Sequence, residues 1–327
     1  MKSVIRFAVM SLLFGAVLVI GVNGALAQTY PSKSVRLVVP YPPGGGPDVI
    51  SRIIMQKVAE NWGQPVVIDN RAGASTMLGA EMVAKSAPDG YTLLCSGATT
   101  FIINPLMQTK IAYHPVKDFA PITLAGWMPY ILVVNSSLPV KSVQELIALA
   151  KSKPGVLNCG TAGPATTGHL SLELFKSMTG VDIVHVPYKG LAPGVLDLLA
   201  GRISMMFVDQ VESLAHVKEG KLRALGTCTL KRSSVLPDIP SIAEAGLPGF
   251  ETAPWLGYFA SGQTPKQIVN KLNTEIVKVL NTPDISKRLA TAGMEPVGST
   301  PEQLAAHIAT ETTKWAKVVK RSDAKVD

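Results

Sequence analysis

Short apolar segments rich in β-branched residues alternate along the chain with longer segments whose apolar residues recur every three or four positions. The short segments predict buried strands, and the periodic segments predict amphipathic helices. In the first third, the pattern predicts strands at residues 35–39, 66–68 and 91–95 and helices at residues 47–62 and 78–85. Because strands and helices alternate with short connections, we expect a parallel, doubly wound sheet.

The alternation resumes after a less regular stretch between residues 96 and 121. Ser142 and Glu145 form a capping box that predicts a helix start. Three helices are predicted to close the chain, and two of them begin with a threonine N-cap followed by proline, at Thr264-Pro265 and Thr300-Pro301. The predicted elements of this part are strands at 131–134, 156–159, 183–186, 203–208 and 222–226 and helices at 142–153, 167–178, 192–200 and 212–219.

The length of the chain predicts two α/β lobes, because about 300 residues exceed what one hydrophobic core organises comfortably. We assign residues 28–124 and 254–327 to lobe 1, since the last helices are expected to pack back onto the first part of the chain. Residues 125–253 are assigned to lobe 2.

The first 27 residues have the pattern of an export signal. Lys2 and Arg6 precede an uncharged, mostly apolar run at 7–22, and small residues at Ala25 and Ala27 suit a signal peptidase. The run falls short of the ~20 apolar residues that span a bilayer, which disfavours a permanent anchor. We therefore expect a mature chain that begins near Gln28 and works outside the cytoplasm.

Charge and cysteine content disfavour nucleic-acid binding and a disulfide framework. The full chain carries a formal charge of +8, and loss of the export signal leaves about +6. The charges are interspersed, so nucleic-acid binding is not expected. Cys95, Cys159 and Cys228 are an odd number at wide spacing, and we interpret them as buried small hydrophobic residues rather than a disulfide framework.

The chemistry of the chain lies in two glycine-rich turns, each between a predicted strand and a predicted helix. The first turn, residues 41–48, carries three consecutive glycines that can direct N–H groups and a helix N-terminus at an anion. The alternative is a tight strand-to-helix turn in which Asp48 only starts the helix, and spacing alone does not separate the two. Neither a dinucleotide-binding fingerprint nor a P-loop is present.

The second turn, residues 158–169, offers hydroxyls, N–H groups and another helix N-terminus. A matching turn in each lobe predicts a ligand held between the lobes, at the carboxyl ends of the strands. We expect His169 to cap the helix or orient the ligand rather than act as a general base, because no nucleophile or metal partner is visible. Asp209 follows a predicted strand and is either a residue at the rim of the site or a solvated loop carboxylate, with the latter favoured.

These segments resemble the Bug family, the substrate-binding receptors of tripartite tricarboxylate transporters. The resemblance runs in order over essentially the whole mature chain. Its clearest segments are VVPYPPGGGPDVISR, VVIDNRAGAS, KSAPDGYTLL, NCGTAGPATTGHLSLELF and HVPYKGLAPGVLDLLAGRISMMF.

The resemblance implies a two-lobed α/β periplasmic-binding-protein fold, type II-like, with a ligand cleft between the lobes. It implies a periplasmic receptor, expected to be a monomer, that binds a small carboxylate and delivers it to integral membrane permease subunits. No catalysis, cofactor or metal is expected. The alternatives are an exported α/β hydrolase, against which the missing nucleophile counts, or a binding protein that serves an ABC importer or a sensor kinase.

Carried over motif by motif, the resemblance also implies a set of ligand contacts. Two departures from the family pattern argue against transferring the ligand of a relative: Ser75-Thr76 stands where glycines are usual, and Pro164 to Thr167 replace a glycine-serine pair. The implied contacts are Tyr41, Gly45, Gly46, Asp48, Ala74 and Ser75 in lobe 1 and Thr161, Ala162, Thr166, Thr167, His169 and Asp209 in lobe 2.

Overall fold

The computed structural model describes residues 30–164, 166–233 and 236–321. The predicted export signal and its cleavage near Gln28 lie outside these residues. From Ser34 onward, the described residues form one compact unit, and the helices and strands described here belong to it.

A six-stranded sheet organises the first part of the chain. Its strands are β1 (Val35–Val39), β2 (Val66–Asn70), β3 (Thr92–Ser96), β4 (Phe119–Trp127), β10 (Trp255–Ser261) and β11 (Glu295–Pro296). Their spatial order is β11-β4-β10-β3-β1-β2. The strands β1, β2 and β3 are parallel, whereas β10 runs antiparallel to β3, and β4 runs antiparallel to β10. The helices of this part are α1 (Gly46–Trp62), α2 (Met77–Ala84), α3 (Asn104–Met107), α8 (Lys266–Leu280), α9 (Pro283–Thr291) and α10 (Pro301–Arg321), with a π-helix at Thr99–Ile103.

A five-stranded sheet organises the middle of the chain. Its strands are β5 (Ile131–Asn135), β6 (Asn158–Thr161), β7 (Val184–Pro187), β8 (Met205–Val208) and β9 (Leu222–Thr227). Their spatial order is β7-β6-β8-β5-β9. Here β6 is parallel to β7 and to β8, whereas β5 is antiparallel to β8 and to β9. Its helices are α4 (Val143–Ser152), α5 (Thr167–Thr179), α6 (Leu191–Leu199) and α7 (Gln210–Lys218).

Each sheet has its own hydrophobic core. In the first, Phe101 stacks on Phe259 with ring centroids 3.9 Å apart and Phe119 meets it edge-on. In the second, Phe207 and Phe250 stack beneath the α4 and α5 side of the sheet. Burial of such aromatic and aliphatic side chains is the main stabilising contribution to each lobe.

The predicted parallel, doubly wound arrangement is confirmed for β1, β2 and β3 but does not extend to the whole sheet, since both sheets are mixed. Sequence analysis predicted no strand at Phe119–Trp127 or Trp255–Ser261, yet these two strands form the centre of the antiparallel part. All seven residues of β10 are buried, so its sequence lacks the alternation that marks a strand with one solvent-facing side. The predicted parallel units β1–α1–β2 and β6–α5–β7 are present.

Helix starts follow the predicted chemistry in two of three places. Ser142 Oγ accepts the Glu145 N–H, and Thr300 Oγ1 accepts the Gln303 N–H. The prediction for Thr264 is wrong, because α8 begins one residue later and has Pro265 as its N-cap. The three cysteines are buried and free, which confirms their predicted role as small hydrophobic residues.

Two chain crossings connect the sheets and lie side by side. Trp127, at the end of β4, pairs with Trp255 at the start of β10, and the Met128 N–H donates to the Pro254 carbonyl at 2.8 Å. The strand β4 belongs to the first sheet as far as Trp127, so the first crossing begins after this residue, and the second crossing ends at Trp255 beside it. The lobe boundaries given above stay a prediction.

Candidate functional site

The first turn leaves two main-chain donors available at the N-terminus of α1. Gly44 adopts φ 84° and Gly45 is the N-cap. Within the described residues, neither the Gly45 N–H nor the Gly46 N–H has a protein acceptor. Free N–H groups at the positive end of a 17-residue helix form an arrangement that favours an anion.

The Asp48 side chain stabilises this turn by accepting hydrogen bonds. Its carboxylate accepts the Gly44 N–H at 2.9 Å, Arg52 Nε at 3.0 Å and Asn70 Nδ2 at 3.1 Å. Burial alone would raise the pKa of Asp48, but the hydrogen bonds from Arg52, Gly44 and Asn70 lower it below its ordinary value. An ionised Asp48 therefore shapes the turn, and its carboxylate is occupied by these donors.

The loop before α2 is held in an unusual conformation. Ala74, Ser75 and Thr76 have φ values of 45°, 50° and 76°, a left-handed region that costs side-chain-bearing residues energy. A buried polar network maintains it, since Asn104 Nδ2 donates to the Ser75 carbonyl at 2.7 Å and Thr76 Oγ1 lies 2.7 Å from Thr100 Oγ1.

Ser75 also links the two lobes. Its hydroxyl donates to the Pro164 carbonyl of the second turn at 3.2 Å. The structure thus brings the loop predicted from the family motif against the second turn, at the place where the family usually has glycine.

The second turn is bonded mainly to itself. Thr161 Oγ1 accepts the Gly163 N–H at 3.2 Å and lies 2.7 Å from His185 Nε2, while Thr166 Oγ1 donates to the Gly163 carbonyl at 2.8 Å. The Ala162 carbonyl accepts the Gly190 N–H at 3.2 Å. Because these groups bond to one another, the turn is a rigid support for the N-terminus of α5.

His169 packs against a second histidine. Its ring stacks on that of His185 with centroids 4.1 Å apart and an interplanar angle of 8°. Burial first, and then the charge of Lys176, lower the pKa of His169 to about 4, so both rings are neutral at neutral pH. His169 stacks on His185, and His185 in turn contacts Thr161 of the second turn. This arrangement suits a supporting role for His169.

Asp209 is not the solvated loop carboxylate that sequence analysis favoured. It is 4% exposed, forms the N-cap of α7 and accepts the Glu212 N–H at 3.1 Å. Sequence analysis missed Glu212, whose half-buried carboxyl lies beside it. The signal was present in the Asp-x-x-Glu spacing after a strand, which is a capping pattern.

The two lobes meet where these groups lie. A Cβ placed on Gly46 would be 2.5 Å from Met128 Cε and 3.0 Å from Asp209 Oδ2, and one on Gly45 would be 3.6 Å from Glu212 Oε1. The first turn of lobe 1 is therefore in contact with the N-terminus of α7 in lobe 2. Tyr41, at the start of the first turn, lies beside Ser96, and burial raises its pKa to about 12, so its hydroxyl stays protonated.

The nearby arginines are engaged in ion pairs. Arg52 pairs with Asp48, and both Arg36 and Arg71 pair with Asp69. An anion at the first turn would therefore meet the main-chain N–H groups of Gly45 and Gly46, with the Asp209 and Glu212 carboxyls of lobe 2 beside them. Among the described residues, no group of three or more histidine, cysteine or acidic side chains is placed to hold a metal ion.

Two mixed α/β sheets, joined by paired crossings and facing each other through helix N-termini, define a two-lobed periplasmic-binding-protein fold. The family is equally clear: residues 50–323 match the tripartite tricarboxylate transporter family receptor. The chain belongs to this family, which includes the Bug proteins. Among the described residues, no helix is both long and apolar enough to cross a bilayer.

Individual relatives are similar over nearly their whole length. The BugT protein of Bordetella pertussis is 37% identical over 301 residues, 92% of each chain. The structure of R. palustris Rpa4515 with adipate is 40% identical, covers 89% of this chain and 97% of its own, and superposes with a TM-score of 0.85. MatC from Rhodopseudomonas palustris with bound malate is 34% identical, with coverages of 89% and 100% and a TM-score of 0.81.

Proposed function

We propose that this protein is a periplasmic receptor that holds the carboxylate of a small organic acid between the first and second turns. The observation that carries the proposal is the pair of free N–H groups at Gly45 and Gly46, at the N-terminus of α1 and in contact with lobe 2. Charge-assisted hydrogen bonds contribute about 1.5–3 kcal/mol each, so a few of them sustain micromolar binding, about −8 kcal/mol.

The ligand belongs to the di- and tricarboxylates, the acidic amino acids or the aromatic acids. Adipate and malate, bound by the two related structures, are the first probes. The contact set is the one inferred from the family motifs, with Thr161 and His169 acting through the shape of the second turn. The receptor works as a monomer without catalysis.

The protein is exported and hands its ligand to the permease subunits of a tripartite transporter. Cleavage near Gln28 releases the mature chain. Recovery by osmotic shock of a chain that begins there is the expected result, whereas an uncleaved or membrane-bound chain would contradict it. Retention of the membrane permease by the tagged, ligand-loaded receptor tests delivery, and retention of an ABC importer instead would contradict it.

Mass spectrometry of the acid that co-purifies with the mature protein tests the ligand class. A thermal-shift series of mono-, di- and tricarboxylates follows, because a ligand that binds only the folded state raises the melting temperature by mass action. We expect a carboxylate to co-purify and its methyl ester to give no shift. An uncharged ligand, or an ester that binds as well as the acid, would contradict the anion site.

A further inference from the structure

Asp209 and Glu212 of lobe 2 lie against the N-terminus of α1 in lobe 1. Asp209 Oδ2 would lie 3.0 Å from a Cβ atom on Gly46, and Glu212 Oε1 would lie 3.6 Å from a Cβ atom on Gly45. Glu212 Oε2 is buried and has no hydrogen-bond partner among the described residues. The contact between the lobes therefore covers two carboxyl groups at once.

No cation of the described residues forms an ion pair with either carboxyl. On lobe 1, Arg52 is already paired with Asp48. On α7, His216 lies 3.8 Å from Glu219, which also binds Lys221. Other titratable groups on neighbouring elements include Tyr41, Tyr130 and Cys228, whose raised pKa values keep them neutral. Asp197 of α6 pairs with Arg202, and Arg223 donates to main-chain carbonyls. The turn after α9 packs on Gln210, and the charged residues of α9, Asp284, Lys287 and Arg288, form no ion pair with either carboxyl among the described residues.

When two adjoining carboxyls are removed from water and have no cation beside them, ionising both costs free energy, because burial and mutual repulsion each disfavour the charged form. Burial raises the pKa of Asp209 to about 6, and burial together with the Asp209 charge raises that of Glu212 to about 8. Because the two groups interact, their protons belong to the pair. With the lobes in contact, the pair therefore retains a proton at neutral pH.

When the lobes separate, water reaches both carboxyls and their affinity for protons falls toward that of an ordinary acid, near pKa 4. The closed arrangement thus binds a proton that the open one releases. By linkage, raising the pH through the pair's titration favours the open form, and lowering it favours the closed form. Each pKa unit by which closing shifts the pair changes the closed-to-open ratio about tenfold.

We propose that Asp209 and Glu212 form a proton-linked latch: the lobes close with a proton held by this pair and open as the proton is lost. The latch is a property of the ligand-free protein. Its test therefore needs no ligand, and a failure to bind carboxylates would leave it intact.

The experiment is solution X-ray scattering of the ligand-free mature protein across the pH range in which the pair titrates, between about 6 and about 8 and one unit beyond on each side. We expect the radius of gyration to increase as the pH rises through this range. Glu212→Gln keeps the shape of the side chain without its charge and leaves only Asp209 to titrate, so this variant should expand less than the wild type and not with its midpoint. Glu219→Gln, an exposed change at the C-cap of the same helix, should follow the wild-type curve.

A wild-type radius of gyration that stays constant across this range overturns the proposal, as does a Glu212→Gln protein that expands with the wild-type midpoint. If Glu212→Gln does not give a native circular dichroism spectrum, Asp209→Asn replaces it with the same expected outcome. The wild-type titration by itself remains decisive, because it requires no variant to fold.

Discussion

The two turns that face each other between the lobes use their polar groups in opposite ways. The first turn leaves the Gly45 and Gly46 N–H groups without protein acceptors among the described residues. Asp48 accepts the other nearby donors, from Gly44, Arg52 and Asn70. In the second turn, Thr161 and Thr166 direct their hydroxyls at Gly163. Lobe 1 therefore presents free N–H donors. Lobe 2 presents an internally bonded turn with the Asp209 and Glu212 carboxyls beside it.

This difference predicts that the first turn governs affinity and the second governs stability. Main-chain donors cannot be removed by side-chain mutation, so they are tested by blocking access to them. The internal hydroxyl bonds of the second turn can be removed directly.

The largest effect is expected from Gly46→Val. A side chain there collides with Met128 and Asp209, so it blocks the approach of the ligand and the closing of the lobes. We expect binding of the co-purifying acid to weaken at least 100-fold, about 2.7 kcal/mol, by calorimetry.

Two matched changes sharpen this test. Gly45→Ala adds a methyl group at an ordinary contact distance, 3.6 Å from its nearest neighbours and without a positive φ, and should cost much less affinity. Arg71→Ala removes an exposed partner of Asp69 and should change affinity mildly or not at all. Greater damage from Arg71→Ala than from Gly46→Val would indicate an arginine clamp instead of main-chain recognition.

The second effect is on stability and concerns Thr161→Val. The change leaves the buried Gly163 N–H without its hydroxyl acceptor and deprives His185 of a partner. A buried group left unsatisfied costs about 1–3 kcal/mol, which we expect as a lower free energy of unfolding in urea. Ser137→Ala, an exposed position outside the site, serves as control. A neutral Thr161→Val protein would show that the second turn does not depend on its internal bonds.

The third effect is the acid sensitivity that Asp48 contributes. Since the folded-state pKa of Asp48 is lowered, its hydrogen bonds stabilise the protein above the ordinary pKa of a carboxyl, and this stabilisation is lost as the pH falls through the lower folded value. Asp48→Asn should therefore be less stable than wild type at neutral pH, and the gap should narrow in acid. Urea titrations at several pH values measure it, and a gap that widens in acid would contradict the assignment.

The smallest effect is expected in the loop before α2. Ala74 is exposed and has φ 45°, so Ala74→Gly relieves strain in the folded state while it makes the unfolded chain more flexible. The net result should be a gain of about 0.5 kcal/mol and a slightly higher melting temperature. Ala72→Gly, outside the left-handed run, should give no gain, and equal gains at both positions would argue against local strain.

Local signals located most of the elements and both turns. Strand β1 was predicted at its observed bounds, and α1 and α5 were predicted to within one residue at each end, because their apolar period and their glycine or threonine boundaries are local. The strands β4 and β10 were missed, since all seven residues of β10 and six of the nine residues of β4 are buried, which leaves little alternation in their sequences.

Asp209 and Glu212 show the limit of sequence analysis most clearly. The order of residues places an acid after β8, but only packing decides whether that acid meets water or the N-terminus of a helix from the other lobe. Gly46 is a similar case. A side chain at this position would contact Met128 and Asp209, and both residues are distant from it along the chain.

The sequence by itself determined the α/β alternation, the position of the two turns, the burial of the three cysteines and the family of the chain. All of these depend on residues close together along the chain, on composition or on motifs read in order. The tertiary structure alone decided the mixed direction of the sheets, the burial of Asp209 and the meeting of the first turn with α7. These depend on contacts between segments far apart in sequence, whose burial and electrostatic energies exist only once the chain has folded.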